Sequence, residues 1–163
     1  MTRVYSALLE GRTGHDAAWD LLTQAYTALT GKPLPETAVT PRGKPYFVED
    51  SLFSSLSHTP RHAFCVLSRR PVGIDAEELD RVPDPRLAER ILSPGELERY
   101  RCSPSPRRAL LSLWVLKEAA AKCSGEGLRG YPNHTDFDPA DPRVMELDGC
   151  LVAVLEQEDT HAL

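Results

Sequence analysis

The chain has 163 residues, with 24 acidic and 19 basic side chains and a net charge of -5 at pH 7. This length supports one core or two small halves that share an interface, but not two large independent domains. The acidic balance argues against a general nucleic-acid binder, yet it is compatible with a locally basic cleft for a small anion. No apolar stretch approaches the roughly 18 residues of a membrane span, and no signal peptide is recognisable. We therefore expect a cytoplasmic protein without membrane attachment.

The first half of the chain is predicted to contain a strand, a long helix and two further strands. Residues 4–9 have the character of a strand, and Asp16 is positioned to cap a helix with apolar residues at the helical period. A loop rich in Pro and Thr follows at 31–45. Two strands are then predicted at 52–57 and 63–67, the second with a mostly buried apolar run.

The next strand, at residues 72–77, alternates apolar and acidic side chains. The intervening turn at 68–71 predicts that it pairs antiparallel with the strand at 63–67. Strand geometry directs Asp75 and Glu77 to one face, roughly 7 Å apart along the strand. The opposite face is apolar and carries Val72, Ile74 and Ala76.

Two helices and a final strand complete the prediction. Residues 93–96 form a capping box with proline at the first helical position, and Ser105-Pro106 begins a long helix that ends near Cys123. On this helix Glu118 and Lys122 lie one turn apart and continue an apolar row, which directs their charges towards a cleft. A strand is predicted at 151–155. The cysteines contain no CxxC pair, so we expect reduced thiols and no zinc site at Cys65, Cys102, Cys123 and Cys150.

Three carboxylates and one ammonium carry the chemistry. Asp75, Glu77 and Glu118 offer hard oxygen ligands of the kind that Mg²⁺ prefers beside waters and substrate phosphates. At an effective dielectric constant near 20, each close carboxylate pair repels by about 4 kcal/mol, so a cation would make the cluster tolerable. Lys122 would then contact a phosphate or protonate a leaving group. Taken singly, each side chain is typical of a solvated surface, and Glu118 with Lys122 of a surface ion pair.

Four sequence blocks occur in an order that is specific to one family. They are Gly43-Lys44-Pro45-Tyr46-Phe47, Phe53-Ser54-Ser55-Leu56-Ser57-His58-Thr59, Val72-Gly73-Ile74-Asp75-Ala76-Glu77 and Trp114-Val115-Leu116-Lys117-Glu118-Ala119-Ala120-Ala121-Lys122. In these blocks the chain resembles the 4′-phosphopantetheinyl transferases, and in particular their Sfp-like branch. The resemblance covers roughly residues 40 to 130.

The resemblance implies a function and a role for each site residue. Asp75, Glu77 and Glu118 would bind Mg²⁺ at the pyrophosphate of coenzyme A, which is the substrate. Glu118 would be the base that activates a serine of an apo acyl or peptidyl carrier protein, and Lys122 would stabilise or protonate the departing adenosine 3′,5′-bisphosphate. The remaining contacts to coenzyme A are assigned to Arg42, Lys44, Pro45, Ser57, His58, Lys117 and Lys122.

The resemblance also implies an α+β fold. We expect two similar α+β halves, residues 1–70 and 71–163, in a pseudo-twofold arrangement within a monomer. Each half would be a small antiparallel sheet packed with a long helix. Sfp-like relatives are longer and carry a basic segment before Gly43, for which Arg42 is the best substitute in this chain.

Other interpretations stay open at this point. A metal-dependent nucleotide phosphohydrolase would also use clustered carboxylates, although it leaves the Lys-Pro and Ser-His blocks unexplained. A non-catalytic coenzyme A-binding protein is a third candidate. Independently of these alternatives, a histidine between Ser57 and Thr59 could simply satisfy backbone groups of a turn, so His58 need not contact a ligand. The basic residues considered for carrier docking, which are equally typical of a solvated helix start, are Arg107, Arg108 and Arg129.

Overall fold

The computed structural model describes residues 2–127 and 135–158. Within these ranges the elements are, in chain order, β1 (Arg3–Leu8), α1 (Gly14–Thr30), β2 (Thr37–Val39), β3 (Pro45–Phe47), β4 (Phe53–His58), β5 (His62–Ser68), β6 (Val72–Glu78), α2 (Arg86–Ile91), α3 (Pro94–Cys102), α4 (Pro106–Ser124), β7 (Val144–Leu147) and β8 (Cys150–Glu156). Arg129 lies outside the described residues. None of the described helices has the length and apolar character needed to cross a lipid bilayer.

Two small antiparallel sheets form the centre of the molecule. The first has the strand order β1-β5-β4 and the second the order β6-β8-β7. In each sheet the first strand is followed by a long helix and later by a hairpin whose last strand takes the central position. The α+β fold with small antiparallel sheets and long helices is therefore confirmed. A separate ribbon, β2-β3, occupies part of the segment that was expected to be loop.

The predicted pairing of the strand at 63–67 with the strand at 72–77 is wrong. β5 pairs with β1 and β4, whereas β6 pairs with β8, so that Val72 lies opposite Glu156. The four-residue turn carries the chain from one sheet into the other instead of closing a hairpin. Both strands are almost fully buried, and they meet through their side chains in the core.

The alternation of side chains along β5 explains how the layers stack. Cys65 and Leu67 pack against α1, while Phe64 and Val66 face Ile74 of the second sheet. α4 packs on the outer face of that second sheet. The layers therefore follow one another in the order α1, first sheet, second sheet, α4. β4 of the first sheet lies close to β6 of the second sheet.

The ends of the helices follow from local chemistry. Thr13, and not Asp16, is the N-cap of α1, because its hydroxyl accepts from the Asp16 amide while Asp16 lies in the first turn. The predicted capping box of α3 is confirmed, with Ser93 and Glu96 each accepting from the other's backbone amide. α4 begins at Pro106, as predicted from proline at the first helical position.

Candidate active site

A cavity of about 460 Å³ opens where α1, the turn before β3, β4, β6 and α4 meet. This volume is within the usual range for small-molecule sites, about 300–1,000 Å³. Eight of the ten side chains assigned to the site from the sequence line it: Arg42, Lys44, Pro45, Ser57, His58, Asp75, Glu118 and Lys122. Glu77 and Lys117 do not belong to its lining.

Gly73 allows the strand and the helix that carry the acidic residues to come together. A Cβ at this position would lie 2.0 Å from the Ala119 carbonyl oxygen and 2.5 Å from the Cys123 nitrogen. Only glycine lets the α4 backbone approach β6 this closely. Because Asp75 follows two residues later on the same face and Glu118 precedes Ala119, the contact sets the spacing between the two carboxylates.

Asp75 is buried beneath the cavity and is held by two neighbours. Its Oδ1 accepts from Lys122 Nζ at 2.8 Å and from the Ser57 hydroxyl at 3.2 Å. Burial raises the pKa of Asp75, the negative charge of Glu77 adds to this, and Lys122 and Ser57 oppose it. The carboxylate thus lies in an environment where an added positive charge would be stabilising.

Glu118 lies half-buried on the wall formed by α4. Burial, followed by the negative charges of Asp75 and Glu77, raises its pKa to about 7, although Lys122 acts in the opposite direction. A carboxyl group with a pKa near neutrality is well matched to accepting a proton from a hydroxyl at physiological pH. The pKa of an ordinary surface glutamate would stay near 4.5, so the raised pKa of Glu118 argues against a simple exposed ion pair with Lys122.

Glu77 shares the face of Asp75, as the strand alternation predicted, but it points to the side of the cavity. Its Oε1 accepts from the indole nitrogen of Trp114 at 3.0 Å and is paired with Arg81. Trp114 opens the sequence block of the long helix, so this hydrogen bond joins the acidic strand block to the helix block. The arrangement orients Glu77 towards the edge of the site.

Lys122 is bound across the junction between β4 and β6. Its ammonium donates to the Leu56 carbonyl at 3.3 Å and to the Ile74 carbonyl at 3.0 Å, besides its 2.8 Å ion pair with Asp75. About a third of the side chain is exposed to the cavity. Lys122 therefore neutralises part of the acidic cluster and still exposes part of its side chain to the cavity.

The acidic set fits a hard divalent cation in its donor chemistry. Asp75, Glu77 and Glu118 present carboxylate oxygens only, and two cations, Lys122 at Asp75 and Arg81 at Glu77, face these three carboxylates. Their oxygens are not gathered around one point, however. Over residues 2–127 and 135–158, the one group of three potential ligands within 4.8 Å of one another is His62, Glu78 and Cys150, on the other face of β6.

Serine hydroxyls connect β4 to β6 at the floor of the cavity. Ser55 accepts from the Ile74 amide at 3.1 Å, and Ser57 accepts from the Ala76 amide at 3.2 Å while donating to Asp75. Ser57 therefore positions Asp75. The neighbouring His58 is exposed at the rim, where its ring lies against Gly14 so closely that a Cβ there would come within 2.2 Å of Nδ1.

The lysine of the Gly-Lys-Pro turn binds backbone carbonyls. Lys44 Nζ donates to the carbonyls of Val72, Lys122 and Cys123 at 2.5–3.2 Å. Burial lowers its pKa. The ammonium lies at the C-terminal end of α4, where the helix dipole favours a cation. Arg42 lies on the exposed rim beside Gly127.

The assignment of Lys117 to coenzyme A binding does not agree with the structure. Its ammonium is buried and forms a 2.8 Å ion pair with Glu96, whose side chain has no exposed surface. It also donates to the Thr135 carbonyl at 3.1 Å. Lys117 is one residue from Glu118 and so projects about 100° away around the helix, into the contact with α3.

Sequence reasoning missed His15 and Trp19, which line the cavity from α1. They are one helical turn apart with ring centroids 6.1 Å from each other. That spacing is visible in the sequence, but it also fits an ordinary core-facing stripe. The docking candidates Arg107 and Arg108 are engaged within the chain, with the Leu79 and Arg81 carbonyls and with Glu146 respectively.

Comparison with known proteins assigns the chain to a family. The family model of the 4′-phosphopantetheinyl transferase superfamily matches residues 71–156, which include β6, α4 and β8. The chain belongs to this superfamily. Its matched region contains the three acidic residues of the site and Lys122, whereas Arg42, Lys44, Ser57 and His58 precede it.

Individual superfamily members resemble the chain over part of their length. The 4′-phosphopantetheinyl transferase gsp of Aneurinibacillus migulanus is 31% identical over 88 residues, which are 53% of this chain and 36% of that protein. Enterobactin synthase component D of Escherichia coli (strain K12) is 39% identical over 75 residues, 45% of this chain and 36% of that protein. The holo-[acyl-carrier-protein] synthase of Yersinia pestis (strain Pestoides F) is 41% identical over 73 residues, 41% of this chain and 58% of that protein. The alignments thus span between about a third and somewhat more than half of each relative.

Proposed function

We propose that the chain transfers the 4′-phosphopantetheine group of coenzyme A to a serine hydroxyl of an apo acyl or peptidyl carrier protein. The products would be the modified carrier and adenosine 3′,5′-bisphosphate. The observation that carries this proposal is the meeting of Asp75, Glu118 and Lys122 at one cavity, with the pKa of Glu118 raised to about 7. Membership of the superfamily supports the same reaction class.

Each side chain of the cavity has a definite task in this reaction. Glu118 would accept the proton of the carrier's serine hydroxyl while the serine oxygen attacks the β-phosphorus of coenzyme A. Lys122 would offset the negative charge that develops on the departing bisphosphate. Asp75, Glu77 and Glu118 would hold Mg²⁺, which supplies charge neutralisation for the pyrophosphate when bound.

The rim of the cavity would select the nucleotide end of coenzyme A. Arg42 offers an exposed guanidinium, which suits a terminal phosphate. His58 and Pro45 line the adjacent wall. Lys44 and Ser57 contribute mainly by fixing α4, β6 and Asp75, because their polar atoms are already bound to these elements.

Several features that accompany the reaction are also part of this proposal. The halves at 1–70 and 71–163 would be related by a pseudo-twofold axis, for which the matching strand orders of the two sheets are the support. The protein would act as a cytoplasmic monomer, with coenzyme A and the carrier as its partners and with neither nucleic acid nor membrane involved.

One assay tests the function directly. The protein is incubated with coenzyme A, Mg²⁺ and a panel of apo carrier proteins, and the intact carriers are weighed by mass spectrometry. A mass gain of one phosphopantetheine on a carrier, absent with Glu118→Gln, supports the proposal. Release of nucleotide fragments without carrier modification would identify a phosphohydrolase. Calorimetric binding of coenzyme A with no transfer to any carrier would identify a binding protein.

A further inference from the structure

A second cluster of ligand-type side chains lies at the far end of the sheets, on the opposite face of β6 from Asp75. His62 begins β5, Glu78 ends β6 and Cys150 begins β8. Glu78 and Cys150 are directly paired across the β6–β8 ladder, so their side chains project from the same face. That face is the one turned towards the first sheet, which brings His62 above them.

The three ligand atoms are spaced like those around a small tetrahedral ion. His62 Nδ1 lies 3.2 Å from Glu78 Oε1 and 3.8 Å from Cys150 Sγ. All three atoms lie within 4.8 Å of one another. Ligands bound to zinc at about 2.0–2.3 Å are about 3.3–3.8 Å apart when the coordination is tetrahedral. The two separations from His62 Nδ1 agree with this geometry, and the third lies below 4.8 Å.

Hydrogen bonds connect the three side chains through Glu78. His62 Nδ1 lies within reach of both the carboxylate and the sulfur, and the Cys150 thiol is hydrogen-bonded to Glu78 as well. Cys150 has no exposed surface and Glu78 is buried. A cation bound between the three would use the lone pair of Nδ1, the carboxylate and the sulfur at once.

The surroundings of Glu78 resemble the outer shell of a metal site. Thr59 Oγ1 donates to Oε1 at 2.5 Å, and Arg61 donates to Oε2 at 2.8 Å. Arg61 in turn pairs with Asp80 at 2.9 Å. Carboxylates that bind metals are commonly oriented by such hydrogen bonds. With a divalent cation and a Cys150 thiolate, the charges of Arg61, Glu78 and Asp80 would sum with them to zero.

We propose that His62, Glu78 and Cys150 form a zinc site, with water completing the coordination. Nitrogen, sulfur and a single carboxylate form a donor set typical of zinc and unlike the all-oxygen set at Asp75. On binding, the Cys150 thiol gives its proton to the solvent as sulfur bonds to the ion. This site was not expected from the scattered cysteines, because its ligands come from three strands far apart in sequence. It is independent of the transferase proposal.

Cobalt(II) provides a selective test, because thiolate ligation to it produces a charge-transfer absorption that an all-oxygen site cannot give. The chelator-treated 163-residue protein is titrated with Co²⁺ and then with Zn²⁺ or Mg²⁺. We expect thiolate absorption that saturates at one Co²⁺ per chain, is displaced by Zn²⁺ and persists in excess Mg²⁺. Saturation without any thiolate absorption would overturn the proposal.

Matched variants locate the site. Cys150→Ser and His62→Gln should each weaken Co²⁺ binding by at least about 100-fold. Cys102→Ser and Cys123→Ser should leave it unchanged. His62 retains some exposure, so His62→Gln is expected to fold and keeps the test decisive should Cys150→Ser lose its circular dichroism. Thiolate absorption that survives both ligand variants, or that disappears with Cys123→Ser, would contradict the assignment.

Discussion

Gly73 lies directly against the carbonyl of Ala119, at a distance that leaves no space for a side chain. This contact joins the strand that carries Asp75 to the helix that carries Glu118. The cavity between them therefore depends on an approach of two backbones. Gly73 is therefore required for the packing of β6 against α4, whereas the acidic residues Asp75 and Glu77 of the same block serve the proposed metal binding.

Replacing Gly73 with alanine should separate β6 from α4. Overpacking of this kind typically costs about 1–3 kcal/mol, and a clash with backbone atoms belongs at the upper end of that range. We expect a lower thermal midpoint and transfer activity reduced at least about tenfold. Gly11→Ala is the matched control, since nothing lies within 4 Å of a Cβ there and its positive φ alone costs about 1–2 kcal/mol. Equal activity losses in the two variants would contradict this interpretation of Gly73.

Lys122→Met should destabilise the protein most when Mg²⁺ is absent. Without the ammonium, the buried Asp75 carboxylate loses its ion-pair partner at 2.8 Å, while the nearby negative charges of Glu77 and Glu118 remain. Because Lys122 is partly exposed, we expect a loss of about 1–3 kcal/mol, less than for a fully buried pair. Urea unfolding in the presence of a chelator measures this loss in the free energy of unfolding. Asp75→Asn in the same background should recover part of the stability, and a strictly additive double variant would show that the two side chains are not coupled.

The stability of metal-free protein should fall as pH rises through the titration of Glu118. Its folded pKa is raised from 4.5 to about 7, so the native state binds more protons than the unfolded chain between these values. The stabilising contribution is complete below pH 4.5 and is lost as pH passes about 7. Thermal midpoints measured in chelator should therefore decline more for the native chain than for Glu118→Gln across this window. Parallel profiles would show that Glu118 titrates normally.

The ion pair between Lys117 and Glu96 should matter for folding and not for coenzyme A affinity. Removing one partner of a fully buried pair costs about 3–5 kcal/mol, so Lys117→Met should unfold at markedly lower urea concentration. At a temperature where the variant remains folded, its KM for coenzyme A should equal that of the native chain. A KM increase as large as that of Arg42→Ala would show that Lys117 contributes to coenzyme A binding.

Arg42→Ala should discriminate between coenzyme A and its 3′-dephosphorylated form. A charge-assisted contact to the 3′-phosphate contributes about 1.5–3 kcal/mol, so KM for coenzyme A should rise roughly 10-fold to 100-fold. KM for dephospho-coenzyme A should change little. Arg12→Ala, at a guanidinium outside the cavity that pairs with Asp20, serves as the control for net charge. If both substrates are affected equally, Arg42 does not contact this phosphate.

Local sequence patterns predicted the elements that carry the site. Alternation along β6 correctly gave Asp75 and Glu77 a common face, and helix periodicity directed Glu118 and Lys122 to the cavity that Asp75 also lines. These predictions succeed because the period of a strand or helix fixes the direction of each side chain. The position of Gly73 in the block was visible too, although its packing role required the structure.

Pairings over long sequence separation could not be predicted in the same way. β6 follows β5 after a short turn, so a hairpin was the simplest expectation, yet its partner β8 comes from the end of the chain. Lys117 was assigned to coenzyme A, because nothing local in the sequence indicates that its ammonium pairs with Glu96. The cluster of His62, Glu78 and Cys150 was also unpredictable from local patterns, because each of these residues belongs to a different strand.

Lys44 has a consequence for how the chain could be divided. It lies before the segment that the superfamily model matches, yet its ammonium holds carbonyls at the start of β6 and at the end of α4. A fragment cut to the matched segment would leave these carbonyls without their donor. The matched segment therefore receives part of its hydrogen bonding from a residue outside it, and chimeras that exchange this segment should keep Lys44 with it.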